Sequence, residues 1–226
     1  MLKTALVLGA TGLVGKTLVE QLCKDHRYQT ITCLVRKPLS IDFFCASATS
    51  SADSADSASS ADRASRADKL QPIVVDFENL QDYQGYFGCQ HIYVCLGTTI
   101  KKAGSKGAFR KVDFEYVHVA AQLARAQRAV SFVWISSVGA NAKSTNFYLR
   151  VKGELENAII GMSGLDNASA VRPSLLLGER DNIRPAEKFA SVLSPFLSPL
   201  LLGGLSKYKP VEAATVAAQM IRLQVF

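Results

Sequence analysis

The sequence predicts a doubly wound α/β fold, a mostly parallel sheet with helices on both faces, and three observations predict it. Strand-like apolar runs alternate with helix-length segments along the chain. Those runs are continuously apolar rather than alternating, which marks a sheet covered on both sides. Directly after the first run comes Gly9-Ala10-Thr11-Gly12-Leu13-Val14-Gly15, a glycine-rich turn that opens the first helix.

Residues 4–8 are read as the first strand, and residues 13–23 as a helix with Leu13, Leu18 and Leu22 on its inner side. Apolar runs at 31–35, 73–75 and 92–96 supply the second, third and fourth strands. A long helix is expected over 107–128, with Val112, Tyr116, Val119, Ala120 and Leu123 at helical spacing. Residues 131–135 are the fifth strand, 146–160 a helix carrying Tyr148 and Lys152, 168–171 the sixth strand, and 211–224 a closing helix.

One segment stands outside this alternation. Residues 51–68 repeat a three-residue unit with alanine at every third position, and no large apolar residue occurs from 46 to 69. A three-residue spacing slides around a helix, so these alanines cannot keep one face toward a core. Residues 46–69 are therefore expected to be a flexible, solvated low-complexity insertion, with helix as an option for part of it.

A chain of 226 residues with 48% hydrophobic content buries roughly 70–75% of its unfolded surface, so it needs no disulfide staple. Its five cysteines, Cys23, Cys33, Cys45, Cys89 and Cys95, show no ligand spacing, and its three histidines are scattered. No metal is expected, and the cysteine usage fits a reducing compartment. No signal peptide is expected, and the longest uncharged stretch, 189–206, is broken by Pro195, Pro199, Gly203 and Gly204. A spanning helix and a membrane-surface contact are not expected, and a cytoplasmic location is. The net charge of +7 is densest at Lys101, Lys102, Lys106, Arg110 and Lys111, with Phe109 the single aromatic among them. Nucleic-acid surfaces add stacking aromatics or a reading helix, so a solvated basic face or a collar around an anionic cofactor is expected instead.

Gly9, Gly12 and Gly15 sit where a dinucleotide site needs them: a sharp turn, a close approach to pyrophosphate, and a helix–strand contact. The N–H groups of Thr11, Gly12, Leu13, Val14 and Gly15 at that helix start would face the anion. The second strand ends in Arg36-Lys37 rather than an acid, which suits the 2′-phosphate of NADP and makes NAD less favoured. Asp76 and Phe77, after the third strand, are placed to border the adenine. Leu96, Gly97, Thr98 and Thr99, after the fourth, can approach the cofactor's middle.

Tyr148 and Lys152, at i and i+4, share one helix face. An ammonium beside a phenol favours phenolate, so the tyrosine is expected to exchange a proton with the substrate as hydride moves. Ser136 and Ser137 end the fifth strand at the carboxyl edge, where a hydroxyl can polarise a carbonyl oxygen.

These residues resemble the short-chain dehydrogenase/reductase superfamily, and more closely an atypical branch, the Tat-interacting oxidoreductase family and its small bacterial relatives. The matching stretches are Gly9-Ala10-Thr11-Gly12, Val75-Asp76-Phe77, Cys95-Leu96-Gly97-Thr98-Thr99, Tyr148-Leu149-Arg150-Val151-Lys152-Gly153-Glu154 and Arg172-Pro173-Ser174. The resemblance implies a single Rossmann-like NAD(P)-binding domain over residues 1–226, with substrate-side loops at 174–210. It implies a Ser137-Tyr148-Lys152 site, with Arg172 and Pro173 beside the nicotinamide pocket. The superfamily's frequent Asn-Asn-Ala-Gly is replaced by Cys95-Leu96-Gly97-Thr98, and Asp113 stands where many extended members carry a structural asparagine.

The function expected is an NADP-dependent oxidoreductase acting by hydride transfer on a small carbonyl or alcohol, as a monomer or homodimer. A regulatory protein that binds NADPH without turnover is the alternative, and epimerase or dehydratase chemistry a weaker third.

Overall fold

The computed structural model describes residues 2–45, 60–174, 176–177 and 211–225. Six parallel strands form one sheet: β1 (Lys3–Leu8), β2 (Tyr28–Val35), β3 (Leu70–Val74), β4 (His91–Val94), β5 (Ser131–Ile135) and β6 (Ala168–Val171). Their order is β3-β2-β1-β4-β5-β6, so the winding reverses between β1 and β4. That reversal opens a crevice at the carboxyl ends of the strands, where such folds place ligands.

The unbroken apolar character of the strands now has a concrete cause. Along β1, Ala5 and Val7 enter one core while Leu6 and Leu8 enter the other. The first core is closed by α1 (Leu13–Lys24) and the last helix, Ala213–Arg222, through Leu18, Leu22, Val216 and Met220. The second is closed through Leu80 and Phe87 of a 3-10 segment, Phe77–Phe87, and through α6 (Tyr116–Ala126) and α7 (Phe147–Ile160). The inner stretches of the central strands thus meet a hydrophobic layer on both faces, which is why they show no apolar–polar alternation.

Four features depart from the expected elements. The helix expected over 107–128 is interrupted: α5 (Lys106–Arg110) passes into a π turn, Lys111–Glu115, before α6 begins. A π turn adds a residue to the turn and is invisible to a 3.6-residue count. Second, the end of the insertion is ordered as a helix, α3 (Ser60–Lys69), that runs directly into β3. Lys69 donates from Nζ to the carbonyls of Cys23 and Asp25, at 3.2 and 3.3 Å, at the end of α1. Lys69 ties this helix to the end of α1; residues 46–59 lie outside the described residues.

Third, short elements escaped the periodicity: α2 (Asp42–Cys45), α4 (Ile100–Ala103) and the 3-10 segment. Fourth, a small parallel pair, β7 (Leu176–Leu177) with β8 (Val211–Glu212), sets the two ends of the expected substrate-side segment side by side. The closing helix, α8, follows as Ala213–Arg222. Residues 178–210, including the uncharged stretch 189–206, lie outside the described residues. Among the described residues no helix is long and apolar enough to cross a membrane.

Candidate active site

The crevice is lined first by glycines. Gly9 has φ +84°, and a Cβ there would lie 2.6 Å from the carbonyl carbon of Cys95, so the turn after β1 runs against the end of β4. Gly12 donates its N–H to the Gly9 carbonyl at 3.1 Å and starts α1 without any side-chain cap. No acid occupies the first turn of that helix, leaving its N–H groups and positive end to an outside anion. A Cβ on Gly12 would meet nothing nearer than the Gly9 carbonyl at 3.4 Å. Thr11 and Gly12 are exposed, whereas Val14 is buried and offers only backbone. An uncapped helix start beside two glycine turns fits the pyrophosphate of a dinucleotide.

At the end of β2, Arg36 and Lys37 are exposed. Asp76 is committed to its own turn: its carboxylate accepts Glu78 N–H at 2.9 Å and Asn79 Nδ2 at 2.8 Å. Phe77 is buried with its ring 5.7 Å from that of Tyr116. Tyr116 in turn donates to Glu78, which also pairs with Lys111.

The turn after β4 is held by side chains of the following helices. Asp113 accepts the Thr98 N–H at 2.8 Å, while Thr99 caps α4 by accepting Lys102 N–H at 3.1 Å. Gly97 stays exposed between Leu96 and Thr98.

After β5, Ser136 N–H donates to Val171 and Val138 N–H to Pro173, at 2.7 and 3.0 Å, so β6 and Pro173 fix the serine turn. Ser136 is 2% exposed and its hydroxyl is a buried group without a hydrogen-bond partner among the described residues. Ser137 is half-buried and its hydroxyl reaches the Val138 carbonyl at 3.3 Å. The helix α7 starts at the cap Asn146, whose side chain accepts Leu149 N–H. It presses on the serine loop so closely that a Cβ on Gly153 would fall 2.2 Å from the Ala142 nitrogen.

On α7, Tyr148 is half-buried with its ring 5.7 Å from Phe109, and Lys152 is buried. The Lys152 ammonium lies 2.8 Å from Asp113 Oδ1 and donates to the Ile135 carbonyl at 3.4 Å. Burial raises the Asp113 carboxyl from its ordinary value, opposed by the neighbouring lysine and the Thr98 N–H. Glu156, one turn beyond Lys152, receives the Arg172 guanidinium as a fork.

The structure therefore gathers the glycine turn, Leu96 to Thr99, Ser136, Ser137, Tyr148 and Lys152 along one sheet edge. It keeps Asp76 in a local turn and engages Arg172 with Glu156. Sequence reasoning missed Asp113 and Glu156 as partners. For Glu156 the signal was present: Tyr148, Lys152 and Glu156 are spaced by four and share a face.

Comparison with known proteins fits this site. The NAD-binding family described as Male sterility protein matches residues 7–155. This chain belongs to that family. It is an atypical short-chain dehydrogenase/reductase, similar to Protein HTATIP2 of Rattus norvegicus, at 32% identity over 83% of this chain and 69% of the relative. Protein FMP52, mitochondrial, of Candida albicans is 32% identical over 93% of this chain and 82% of its own length. A short-chain type dehydrogenase/reductase from Mycobacterium ulcerans shares the fold at TM-score 0.68, with 16% identity and coverage of 99% and 83% of the two chains. MoeE5 in complex with UDP-glucose and NAD does so at TM-score 0.65, with 12% identity and coverage of 98% and 71%.

An NAD(P)-binding, Rossmann-type oxidoreductase family is thereby established for the chain. The cytoplasmic expectation is corrected: fungal relatives such as FMP52 of Candida albicans and of Debaryomyces hansenii are named mitochondrial. Cysteine usage and apolar patterning describe the folded domain's chemistry and carry no address, so they could not decide a compartment.

Proposed function

We propose that this protein is an NADP-dependent oxidoreductase acting by hydride transfer on a small carbonyl or alcohol. The observation that carries the reading is the convergence of Gly12, Thr98, Ser137 and Lys152 at the carboxyl edge of β1, β4 and β5, beside the β1/β4 reversal. Bound nicotinamide would supply the hydride or accept it.

The chain's own residues divide the remaining work. The start of α1, with Thr11, Gly12, Leu13, Val14 and Gly15, holds the pyrophosphate through backbone N–H groups. Arg36, with Lys37, pairs with the 2′-phosphate. Phe77 and Asp76 border the adenine side, and Leu96 to Thr99 line the middle. Ser137 orients the substrate oxygen, with Ser136 behind it, and Tyr148 gives that oxygen a proton in reduction or takes it in oxidation. Lys152 fixes the ribose and the tyrosine, Pro173 and Arg172 flank the nicotinamide end, and residues 174–210 form the substrate side.

A second reading, cofactor binding without turnover, is favoured by one observation: the Lys152 ammonium is already neutralised by Asp113. Purified protein incubated with NADPH and a panel of aldehydes and ketones separates the two. The enzyme reading expects carbonyl-dependent loss of the reduced-cofactor absorbance. Tight NADPH binding with no turnover on any carbonyl selects the second reading, and absence of binding overturns both.

A further inference from the structure

We propose that the substrate of this site is an anion: a carbonyl compound carrying a carboxylate or phosphate, whose charged group seats on Lys106 and Arg150 beside Phe147. The inference rests on the hydride-transfer reading above and names the substrate class which that reading leaves open.

The two segments that leave the carboxyl ends of β4 and β5 are free of acids. Residues 96–111 and 137–153 contain no aspartate or glutamate, although the chain carries 19. They bring Lys101, Lys102, Lys106 and Lys143 to the surface, all four exposed. None of these lysines pairs with a carboxylate among the described residues. Arg110 and Lys111, from the same stretch, do find acids, Glu154 and Glu78. Charge pairing thus begins only further along that helix, away from the turn after β4.

One aromatic ring ties this charge to the chemistry. Lys106 Nζ lies 5.4 Å and Arg150 Cζ 5.6 Å from the centroid of the Phe147 ring, close enough for cation–π attraction. The rings of Phe147 and of its neighbour Tyr148 both pack on Phe109, at 5.8 and 5.7 Å. Phe109 is fully buried, so the two cations are anchored beside the tyrosine. Arg150 is held further by its Nη1, which donates to the carbonyls of Ser144 and Thr145 at 3.0 and 3.4 Å. Its Nε stands 4.0 Å from Glu154, beyond hydrogen-bond reach. Glu154 is itself taken by Arg110 at 2.6 Å. The Nε–Nη2 edge of the Arg150 guanidinium therefore makes no hydrogen bond among the described residues and is left for a ligand.

The cofactor does not need these charges. In the reading above its phosphates are met at the start of α1 and at Arg36, on the β1 and β2 side of the crevice. Lys106 and Arg150 stand on the tyrosine side, beside the group that exchanges the substrate's proton. A planar guanidinium with a lysine next to it matches a carboxylate or a phosphate. Gathered like charges also repel one another, and a bound anion relieves that repulsion.

Titration calorimetry on the NADPH complex tests this with non-reacting probes: benzoate against benzyl alcohol, and glycerol 3-phosphate against glycerol. At least one anion is expected to bind about tenfold tighter than its neutral match, the scale of one charge-assisted contact. The tighter of the two anions names the charged group. The preference should shrink as salt is raised and disappear in the double variant Lys106→Gln, Arg150→Gln. Lys106→Glu, at an exposed position without an acid partner, should abolish it alone. Equal binding of anions and neutral matches overturns the proposal, as does a preference that survives Lys106→Glu. Failure of both anions to bind overturns it too. If the parent binds no NADPH, the cofactor reading fails instead, and the same titrations on the free protein still decide the anion site.

Discussion

A Cβ built on Gly15 would lie 2.1 Å from the carbonyl oxygen of Gly9, and 3.0 Å from the Ala10 Cα. The first turn of α1 is therefore packed directly onto the backbone of the β1 turn. Gly12 has no such constraint, since a Cβ there would stand 3.4 Å from the Gly9 carbonyl oxygen, an ordinary contact. The two glycines should fail in different ways. Gly15→Ala forces backbone apart and is expected to destabilise by about 1–3 kcal/mol, lowering the melting temperature by roughly 2–10 °C. Gly12→Ala should melt within a few degrees of the parent yet bind NADPH more weakly, because its methyl stands where the phosphate approaches. Calorimetric melts with cofactor titrations distinguish them. Equal melting temperatures for parent and Gly15→Ala would contradict the contact.

Arg36 is exposed at the end of β2, and in the proposed function it pairs with the 2′-phosphate of NADP. Arg36→Ala is expected to lower NADP affinity about 10- to 100-fold and to leave NAD affinity unchanged. Titration calorimetry with both cofactors decides it. Equal affinity of the parent for NAD and NADP would remove the guanidinium from the site.

Tyr148→Phe deletes a hydroxyl that has no hydrogen-bond partner among the described residues and keeps the ring against Phe109. Fold and NADPH affinity should survive, while turnover of a substrate found in the carbonyl panel should fall roughly 10²- to 10⁴-fold. Parental turnover in this variant would reduce Tyr148 to a packing residue.

Arg172 answers for a buried acid. Glu156 is 4% exposed on its side chain and receives the guanidinium as a fork. Arg172→Ala should cost about 1–3 kcal/mol of stability, the penalty of a buried acceptor left without its donor. Urea denaturation reads the loss. Unchanged stability with weakened NADPH binding would show that the guanidinium serves the cofactor rather than Glu156.

His91 gives the fold a pH dependence. Its Nε2 donates to the Val225 carbonyl at 2.8 Å, and its Nδ1 lies 2.7 Å from the Tyr28 hydroxyl. Burial lowers its pKa from 6.5, a Val225 contact and nearby charges being smaller influences. The folded state thus disfavours the proton. Stability from this ring is complete above pH 6.5 and is lost as pH falls toward the depressed value, at no more than about 1.4 kcal/mol per pH unit. Thermal melts from pH 7.5 to 5 should show a decline that His91→Phe flattens. A decline of equal slope in both proteins would assign it to other groups.

The sequence by itself determined the layered fold, because that information is local. Continuous apolar strands require two covered faces, and helix-length segments between them supply the cover. The spacing of Gly9, Gly12 and Gly15, and of Tyr148 and Lys152, is likewise local: a turn and a helix face bring such neighbours together whatever lies around them. The tertiary structure alone decided which polar groups meet. Asp113 and Lys152, Arg172 and Glu156, Lys69 and the end of α1, and His91 and Val225 join residues between 16 and 134 positions apart. Asp113 is buried within a π turn, and a π turn leaves no mark in a helical periodicity. Strand order fixes which loop ends are adjacent, and water excluded between them is what makes each buried charge find its partner.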